Sequence, residues 1–444
     1  SGLGDVADSA EEENMKSEGP EKPSAEWSYD DPDFWDAQQL ERELRRVGDI
    51  CHQCRRCLPL CPSFPKLFEL VDATEQEVAG VSMGGLEQVN ELCFHCKLCY
   101  NHCPYTPPHE WDLDFPALMR RQQLIRSRRD GTPLARKLTT QTDLIGKIGS
   151  AAPALMNFAN TNRLSRLMME KTIGIHRDWV QPTYYRETVE RWFRKRRSTA
   201  TGANGSAVLF STCTVHYSDP LVGRAAVEVI ERSDVKVELC YECCCGMPYT
   251  DTGNLDAARR NAERNVADLL PLIESGAEVV IPGPSCSLLI KEEYPKLLGT
   301  DAARKVAEST RDLMEYLFRL GRAKKLSREF PRPLGKVAYH APCHLRHQNI
   351  GFPARALLKL AGAEVELIDA CSGVDGTWGM QARFHEESMK VAGNLLRRIE
   401  EFEPDHVATD CPLSALRIEQ GTGRQAVHPV TLLHRAYGFE GDAK

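Results

Sequence analysis

The spacing of hydrophobic residues divides this chain of 444 residues into two halves. In the first half apolar residues recur at helical intervals, and the clearest predicted helix, over residues 34–50, carries Phe34, Trp35, Leu40, Leu44 and Val47. Beyond residue 206, short apolar strands alternate with amphipathic helices, which predicts α/β layers. Residues 198–206 are small and polar, so we predict a linker between the two halves.

The second half of the chain repeats itself. Residues 207–213 (AVLFSTC) resemble residues 336–343 (KVAYHAPC), and residues 278–284 resemble residues 406–412. The period of about 125–130 residues is typical of an internal duplication. We therefore expect two similar α/β lobes after the linker.

Acidic charge is concentrated near the start of the sequence. The formal net charge is -7, yet residues 1–33 alone hold eleven acidic residues against Lys16 and Lys22. We interpret residues 1–33 as a disordered acidic arm, a solvated tail rather than a docking site for a basic partner. The sequence has no run of about eighteen apolar residues, and residues 1–33 lack the apolar core of a secretory signal. We expect a cytoplasmic, reducing location, where clustered cysteines bind metal or carry out redox chemistry.

Eight of the seventeen cysteines form two matching runs. In each run the gaps are two, two and three residues and a proline follows, as in Cys51, Cys54, Cys57, Cys61 and Pro62, and again in Cys93, Cys96, Cys99, Cys103 and Pro104. This is the spacing of two-cluster bacterial ferredoxins, in which the fourth cysteine of each run binds the other cluster. We therefore predict one [4Fe-4S] cluster on Cys51, Cys54, Cys57 and Cys103, and another on Cys93, Cys96, Cys99 and Cys61.

Structural zinc sites are the alternative for these two runs. Zinc is usually held by separated cysteine pairs rather than by three closely spaced cysteines and a distant fourth, so we favour iron-sulfur clusters. Lys97, Arg55 and Arg56 also lie within the runs. These cations would either raise the reduction potentials of anionic clusters or act as docking contacts.

The other nine cysteines fall at predicted strand ends or in the turns that follow them. The carboxyl ends of parallel strands form the usual binding crevice of an open α/β sheet, and the helix N–H groups there stabilise an anionic cluster. A metal cluster in at least one lobe is therefore expected. The nine are Cys213, Cys240, Cys243, Cys244, Cys245 and Cys286 in the first lobe, and Cys343, Cys371 and Cys411 in the second.

Short motifs around these cysteines resemble the cysteine-rich CCG domain family. That family is found in heterodisulfide reductases and in the iron-sulfur subunits of glycolate oxidase and anaerobic glycerol-3-phosphate dehydrogenase. The resemblance covers most of residues 48–438 and implies that each lobe is a CCG domain. It rests on residues 244–248 (CCGMP), 284–286 (PSC), 340–346 (HAPCHLR), 371–373 (CSG) and 410–412 (DCP).

In the first lobe the resemblance implies a ligand set of four cysteines, enough for a cubane cluster: Cys213, Cys244, Cys245 and Cys286. Gly283 stands where the family has a further cysteine. This gap weakens the case for a noncubane, disulfide-reducing cluster. Cys240 and Cys243 are near neighbours of the set but do not occupy motif positions.

In the second lobe Ser372 and Ser414 replace motif cysteines, and three cysteines remain: Cys343, Cys371 and Cys411. A cluster there would be completed by His340, His344, Asp410 or an exogenous ligand. The alternative is an eroded lobe whose cysteines are buried apolar fillers.

Together these observations predict an α+β multidomain fold, a helical two-[4Fe-4S] ferredoxin domain followed by two duplicated α/β cysteine-rich lobes. The predicted bounds are 1–33 for the acidic arm, 34–110 for the ferredoxin domain, 111–197 for a helical connector, 198–206 for the linker, 207–330 for the first lobe and 331–444 for the second.

The resemblance implies an electron-transfer subunit that works between a flavoprotein or other redox enzyme and a quinone or another electron carrier. No flavin is expected on this chain because no strand-borne GxGxxG is present, and no nucleic acid because no recognition fold accompanies the basic segments. The alternative is a heterodisulfide reductase-like enzyme that reduces a disulfide at a CCG cluster. A redox sensor or scaffold is the third hypothesis.

Residues 142–176 carry apolar side chains on helical faces with basic residues beside them, such as Leu144, Ile148, Leu155, Phe158 and Arg163. Helices of this kind either lie on a membrane surface, which would give peripheral contact with the inner face of the cytoplasmic membrane, or pack on a core. We favour core packing, because most amphipathic helices face a core.

Overall fold

The structure is a computed structural model that describes residues 27–439. Most of the predicted acidic arm, residues 1–26, lies outside the described residues. The end of that segment packs on the folded chain: the rings of Trp27 and Tyr29 contact Phe34 edge to face, and the Tyr29 hydroxyl donates a hydrogen bond of 2.9 Å to Glu293. Trp27 and Tyr29, at the start of the described residues, are therefore already packed against the rest of the fold.

The N-terminal domain is helical. The predicted helix over residues 34–50 is confirmed, although it begins at Ala37, where the Asp36 carboxylate accepts hydrogen bonds from the first amides, and it continues to Cys54. Its buried face packs with Phe64, Leu67 and Leu118 in one apolar core. The helices are α1 (Ala37–Cys54), α2 (Ser63–Asp72), α3 (Met83–Glu91), α4 (Leu98–His102) and α5 (Phe115–Asp130), with short 3-10 helices at Pro32–Trp35 and Glu77–Gly80.

A run of short helices connects this domain to the α/β lobes. Gly146 and Gly149 allow the rings of Tyr217 and Tyr184 to approach the backbone closely, so one side of the connector packs as expected. The expectation of core packing is wrong for the other side, where several large apolar side chains remain exposed: Leu144, Ile148, Leu155, Phe158, Leu164 and Met168. The helices are α6 (Leu134–Thr139), α7 (Thr142–Ala151), α8 (Pro153–Thr161), α9 (Arg163–Ile173) and α10 (Val189–Lys195).

Each α/β lobe contains a four-stranded parallel sheet, and the two sheets have the same topology. The strands are β1 (Ser206–Phe210), β2 (Lys236–Cys240), β3 (Glu278–Ile281), β4 (Thr310–Asp312), β5 (Lys336–His340), β6 (Glu364–Ile368), β7 (His406–Thr409) and β8 (Ala426–Val427). The first sheet is ordered β2, β1, β3, β4 and the second β6, β5, β7, β8. The two central pairs also share a register, since Ala207 lies opposite Val237 and Val337 opposite Val365. The predicted duplication is confirmed.

Helices cover both sheets, and the two lobes share one continuous apolar core that includes Val227, Leu317, Leu358 and Leu433. In the first lobe the helices are α11 (Cys213–Tyr217), α12 (Pro220–Glu231), α13 (Met247–Thr250), α14 (Leu255–Glu274), α15 (Pro284–Leu288), α16 (Tyr294–Leu298), α17 (Asp301–Ser309) and α18 (Leu313–Arg322). In the second lobe they are α19 (Cys343–His347), α20 (Pro353–Leu360), α21 (His385–Phe402), α22 (Pro412–Thr422) and α23 (Pro429–Ala436). No helix within residues 27–439 is both long and apolar enough to cross a bilayer.

Candidate iron-sulfur sites

The first group of thiols lies where α1 ends. Cys51, Cys54, Cys57 and Cys103 line one small cavity whose other walls include Ile50, Phe64 and Leu113. Burial raises the pKa of Cys57 to about 11, and the thiolates of Cys103 and Cys54 contribute to this rise, so the thiols are close neighbours. Four cysteine donors around one apolar-walled cavity are a donor set that suits a [4Fe-4S] cluster.

The second group consists of Cys61, Cys93, Cys96 and Cys99. Burial raises the pKa of Cys99, and the charges of Cys96, Cys93 and Cys61 raise it further. The loop that presents these thiols is tightly curved, because His95 and Lys97 both adopt positive φ, at 47° and 60°. Residues other than glycine rarely take this conformation, which is typical of functional sites.

Lys97 and Arg55, two of the cations within the runs, are both paired with carboxylates. The Lys97 ammonium lies 2.5 Å from Glu292 and 3.2 Å from Glu293, and the Arg55 guanidinium lies 2.5 Å from Asp72. Because Glu292 and Glu293 belong to the first lobe, Lys97 holds the ferredoxin domain against that lobe.

The third group is in the first lobe, at the carboxyl ends of its strands. Cys213, Cys244, Cys245 and Cys286 converge there, and the sulfur atoms of Cys245 and Cys286 are 3.2 Å apart. The pKa of Cys213 is raised first by its hydrogen bond with Cys244 and then by burial. Gly246 turns the chain after the cysteine pair with a φ of 106°, a conformation that favours glycine.

Cys243 points away from this group. Its thiol donates to the carboxamide oxygen of Asn265 at 3.4 Å and to the carbonyl of Asn261 at 3.7 Å. The Cys243 thiol is thus engaged by Asn265 and Asn261.

Three polar residues that the sequence did not single out hold the loop of Cys244 and Cys245. The Asp143 carboxylate on α7 accepts hydrogen bonds from the Cys244 amide (2.8 Å) and from the Tyr241 hydroxyl. The fully buried Tyr294 donates to the Cys245 carbonyl at 2.7 Å, and Asn265 donates to the Cys244 carbonyl at 3.2 Å. No local motif marks these residues, because their partners lie far away in the chain.

The fourth group, Cys343, Cys371 and Cys411, belongs to the second lobe. Burial raises the pKa of Cys343, and the charges of Cys96, Cys371 and Cys411 contribute to this rise. The two serines that replace motif cysteines, Ser372 and Ser414, hydrogen-bond to each other at 3.0 Å.

The two histidines expected as additional ligands in this lobe are engaged elsewhere. The ring nitrogens of His340 contact the Thr409 hydroxyl (2.9 Å) and the Ala370 carbonyl (3.1 Å). Those of His344 contact the Ser285 hydroxyl (2.8 Å) and the His95 carbonyl (3.4 Å). Among the residues expected as a fourth ligand, this leaves Asp410, whose Oδ1 is buried without a hydrogen-bond partner in the described chain.

The four thiol groups form a spatial series whose order differs from that of the sequence. Cys57 of the first group influences the pKa of Cys99 in the second, and Cys371 of the second lobe influences that of Cys61. Cys411 of the second lobe in turn raises the pKa of Cys286 in the first lobe. The second-lobe cysteines are therefore neighbours both of the ferredoxin cysteines and of the first-lobe cysteines. No group of His, Cys, Asp or Glu side chains within residues 27–439 is arranged to hold a single metal ion.

Comparison with known proteins identifies the domains. Residues 44–130 match the citrate utilization protein B Fer4-like domain, and residues 207–291 and 337–418 each match the cysteine-rich CCG domain. The chain is 30% identical over 306 residues to a subunit of the anaerobic glycerol-3-phosphate dehydrogenase of Escherichia coli, an alignment that covers 67% of this chain and 76% of that protein. The chain belongs to the CCG family of iron-sulfur proteins. The resemblance and the fold class predicted from the sequence are both confirmed.

Other CCG family relatives cover smaller parts of the chain. Lactate utilization protein A of Geobacillus thermodenitrificans is 28% identical over 216 residues, 46% of this chain and 86% of that protein. A subunit of the fumarate reductase (CoM/CoB) of Methanothermobacter marburgensis is 27% identical over 238 residues, 52% of this chain and 45% of that protein. Two of these relatives are, by name, subunits of a dehydrogenase and of a reductase, and together with the Fer4-like and CCG domains they support an iron-sulfur protein with an electron-transfer role.

Proposed function

We propose that this CCG family protein is a relay subunit that passes electrons between a flavoprotein dehydrogenase and a quinone or another redox carrier. The observation that carries the proposal is the unbroken series of four thiol groups, each electrostatically coupled to the next. When bound, iron-sulfur clusters accept and release single electrons. A series of closely placed ligand sets is what such a relay requires.

In this proposal the protein holds two ferredoxin-type [4Fe-4S] clusters and at least one further cluster in the lobes. The ligands are the eight cysteines of the two runs and, in the first lobe, Cys213, Cys244, Cys245 and Cys286. The assignment of individual ligands and the domain bounds stay predictions, as does the location at the inner face of the cytoplasmic membrane.

The burial of Cys244 and Cys245 supports a relay over a disulfide reductase. Each is only 1% exposed, and a disulfide substrate would have to reach the sulfur atoms of that pair. An electron needs no such access. Disulfide turnover with a reduced dye should therefore be at background level in the wild type, and substituting Cys245 should not change it.

The first test is to count clusters in protein purified without oxygen from its host. Iron and sulfide analysis with electron paramagnetic resonance should give at least three [4Fe-4S] clusters, and a flavoprotein should co-purify. A Cys245→Ala variant should lose the first-lobe signal and keep both ferredoxin signals. A Cys57→Ala variant should lose one ferredoxin signal and keep the other ferredoxin signal and the first-lobe signal. Zinc in place of iron, or isolation without any redox partner, would refute the proposal.

A further inference from the structure

A cavity of about 530 Å³, whose lining residues include no cysteine, lies where the helical connector meets the ferredoxin domain and both lobes. Its walls come from the end of α5 and the segment after it, from residues 173–175, and from residues 377–383 of the second lobe. Glu91 and Thr252 complete the lining.

Hydrogen bonds between separate segments build the walls of this cavity. The backbone around Ile175 pairs in antiparallel fashion with Gln381, and the amide of Ala382 donates to Gly174 at 2.8 Å. On the opposite side, the hydroxyl of Thr132 donates to the carbonyl of Thr252 at 3.2 Å. The cavity is therefore a preformed part of the fold and not a gap between loose loops.

Three arginines from three different segments line it: Arg126, Arg136 and Arg383. Two of them share the carboxylate of Glu91, with Arg126 at 3.2 Å and Arg383 at 3.7 Å. The other acidic residue of the lining, Asp130, lies 2.7 Å from Arg129 and is neutralised there. The lining thus carries more cationic than available anionic charge.

Arg136, unlike Arg126 and Arg383, is not within ion-pair distance of Glu91, although the negative charge of Glu91 offsets part of the fall in its pKa. Within residues 27–439 its half-buried guanidinium makes neither a hydrogen bond nor an ion pair. Its pKa is lowered, first by burial and then by the positive charges of Arg383 and Arg126, so the three guanidinium groups repel one another across the cavity. Its guanidinium therefore offers five donors in a fixed fork to a molecule in the cavity.

We propose that this cavity binds the oxyanion group, carboxylate or phosphate, of a small organic molecule. The arginine forks match the geometry of such an oxyanion, which would satisfy Arg136 and relieve the repulsion among the three cations. The apolar side chains of Ile173, Ile175 and Met380 in the same lining would contact the rest of the ligand. The inference is independent of the electron relay, because it uses none of the cysteines.

The test is binding of inorganic phosphate and of acetate to the full chain, measured by calorimetry and by the unfolding temperature at constant ionic strength in chloride. Wild type should bind at least one of the two anions and unfold at higher temperature in its presence. Arg136→Gln should bind at least about tenfold more weakly, and Arg136→Lys should fall between the two, because lysine keeps the charge but not the fork. The matched control is Arg163→Gln, which removes an exposed arginine outside the cavity and should bind like wild type.

The stability of the anion-free protein distinguishes a binding role from a structural one. Since Arg136 has only repulsive cationic neighbours besides Glu91, Arg136→Gln should unfold at the same temperature as wild type or higher when no anion is added. A large loss of stability in that variant would mean that Arg136 serves the fold, and would overturn the proposal. It would equally be overturned if wild type gained no stability from either anion, or if Arg136→Gln responded to them as wild type does.

Discussion

Replacing Asp143 by asparagine should raise the reduction potential of the first-lobe site. The carboxylate lies beside that site, since it accepts a hydrogen bond of 2.8 Å from the Cys244 amide and another from the Tyr241 hydroxyl. Its negative charge also contributes to the raised pKa of Cys213, after the hydrogen bond with Cys244 and burial. An anion that opposes ionisation of a thiol also opposes addition of an electron to a cluster held by that thiol.

The size of the effect follows from Coulomb's law. Near a partly buried site a unit charge changes the energy of a neighbouring charge by about 1–2 kcal/mol. For a one-electron step this corresponds to a rise of about 40–90 mV in reduction potential. Asparagine has nearly the same shape and keeps one acceptor oxygen for the Cys244 amide, so the loop should stay in place.

The measurement is a redox titration followed by electron paramagnetic resonance, in which the first-lobe signal is compared with the two ferredoxin signals. The control is Asp178→Asn, which removes a negative charge from a side chain that is 74% exposed and lies outside the cysteine groups. A shift in Asp143→Asn no larger than in this control, or a shift to more negative potential, would show that Asp143 does not tune the site.

Three further substitutions test the supports of the fold. Tyr294→Phe removes the donor to the Cys245 carbonyl (2.7 Å), and urea unfolding should show a loss of about 1–3 kcal/mol, with Tyr100→Phe as a matched change at a partly exposed position. Lys97→Met leaves Glu292 and Glu293 without their shared cation and should cost about 3 kcal/mol; an undiminished unfolding free energy would contradict the pairing. Burial lowers the pKa of His428 to about 3 from 6.5, so the neutral buried ring costs no stability above pH 6.5. Below that pH the unfolded chain binds a proton that the folded chain does not, and the folded state loses about 2 kcal/mol of stability by pH 5. The unfolding free energy of His428→Asn, relative to that of wild type, should therefore rise by about 2 kcal/mol as the pH falls from 7.5 to 5. Parallel curves of unfolding free energy against pH for the two proteins would refute this.

The sequence predicts the ferredoxin runs and the duplicated lobes well, because both are encoded over short distances. The gaps among Cys51, Cys54 and Cys57 by themselves bring thiols together at the end of one helix. Strand patterns likewise repeat in the two lobes and produce sheets of the same order. Asp143 could not be found in this way, since it reaches Cys244 across 101 residues and only the docking of α7 brings the two together.

The helical connector shows what periodicity leaves open. Hydrophobic spacing indicates that one face of a helix is apolar, but not what covers that face. Core packing was expected for residues 142–176, and it is wrong for Leu155, Phe158 and Leu164, which are 71%, 61% and 73% exposed. The choice between core and surface depends on which neighbours the fold supplies, and that is a tertiary property.

The position of the second lobe decides how many clusters a relay would need. Its three cysteines lie between those of the ferredoxin domain and those of the first lobe, because Cys371 is coupled to Cys61 while Cys411 is coupled to Cys286. If the second lobe held only buried fillers, this series of thiol groups would have no site between the ferredoxin cysteines and those of the first lobe. Next to Cys411, the Oδ1 of Asp410 is buried without a hydrogen-bond partner in the described chain, while its Oδ2 accepts from the Tyr339 hydroxyl at 2.7 Å. His340 and His344 are committed to other contacts. A cluster in the second lobe would therefore give a relay an intermediate site between the ferredoxin thiols and the first-lobe thiols.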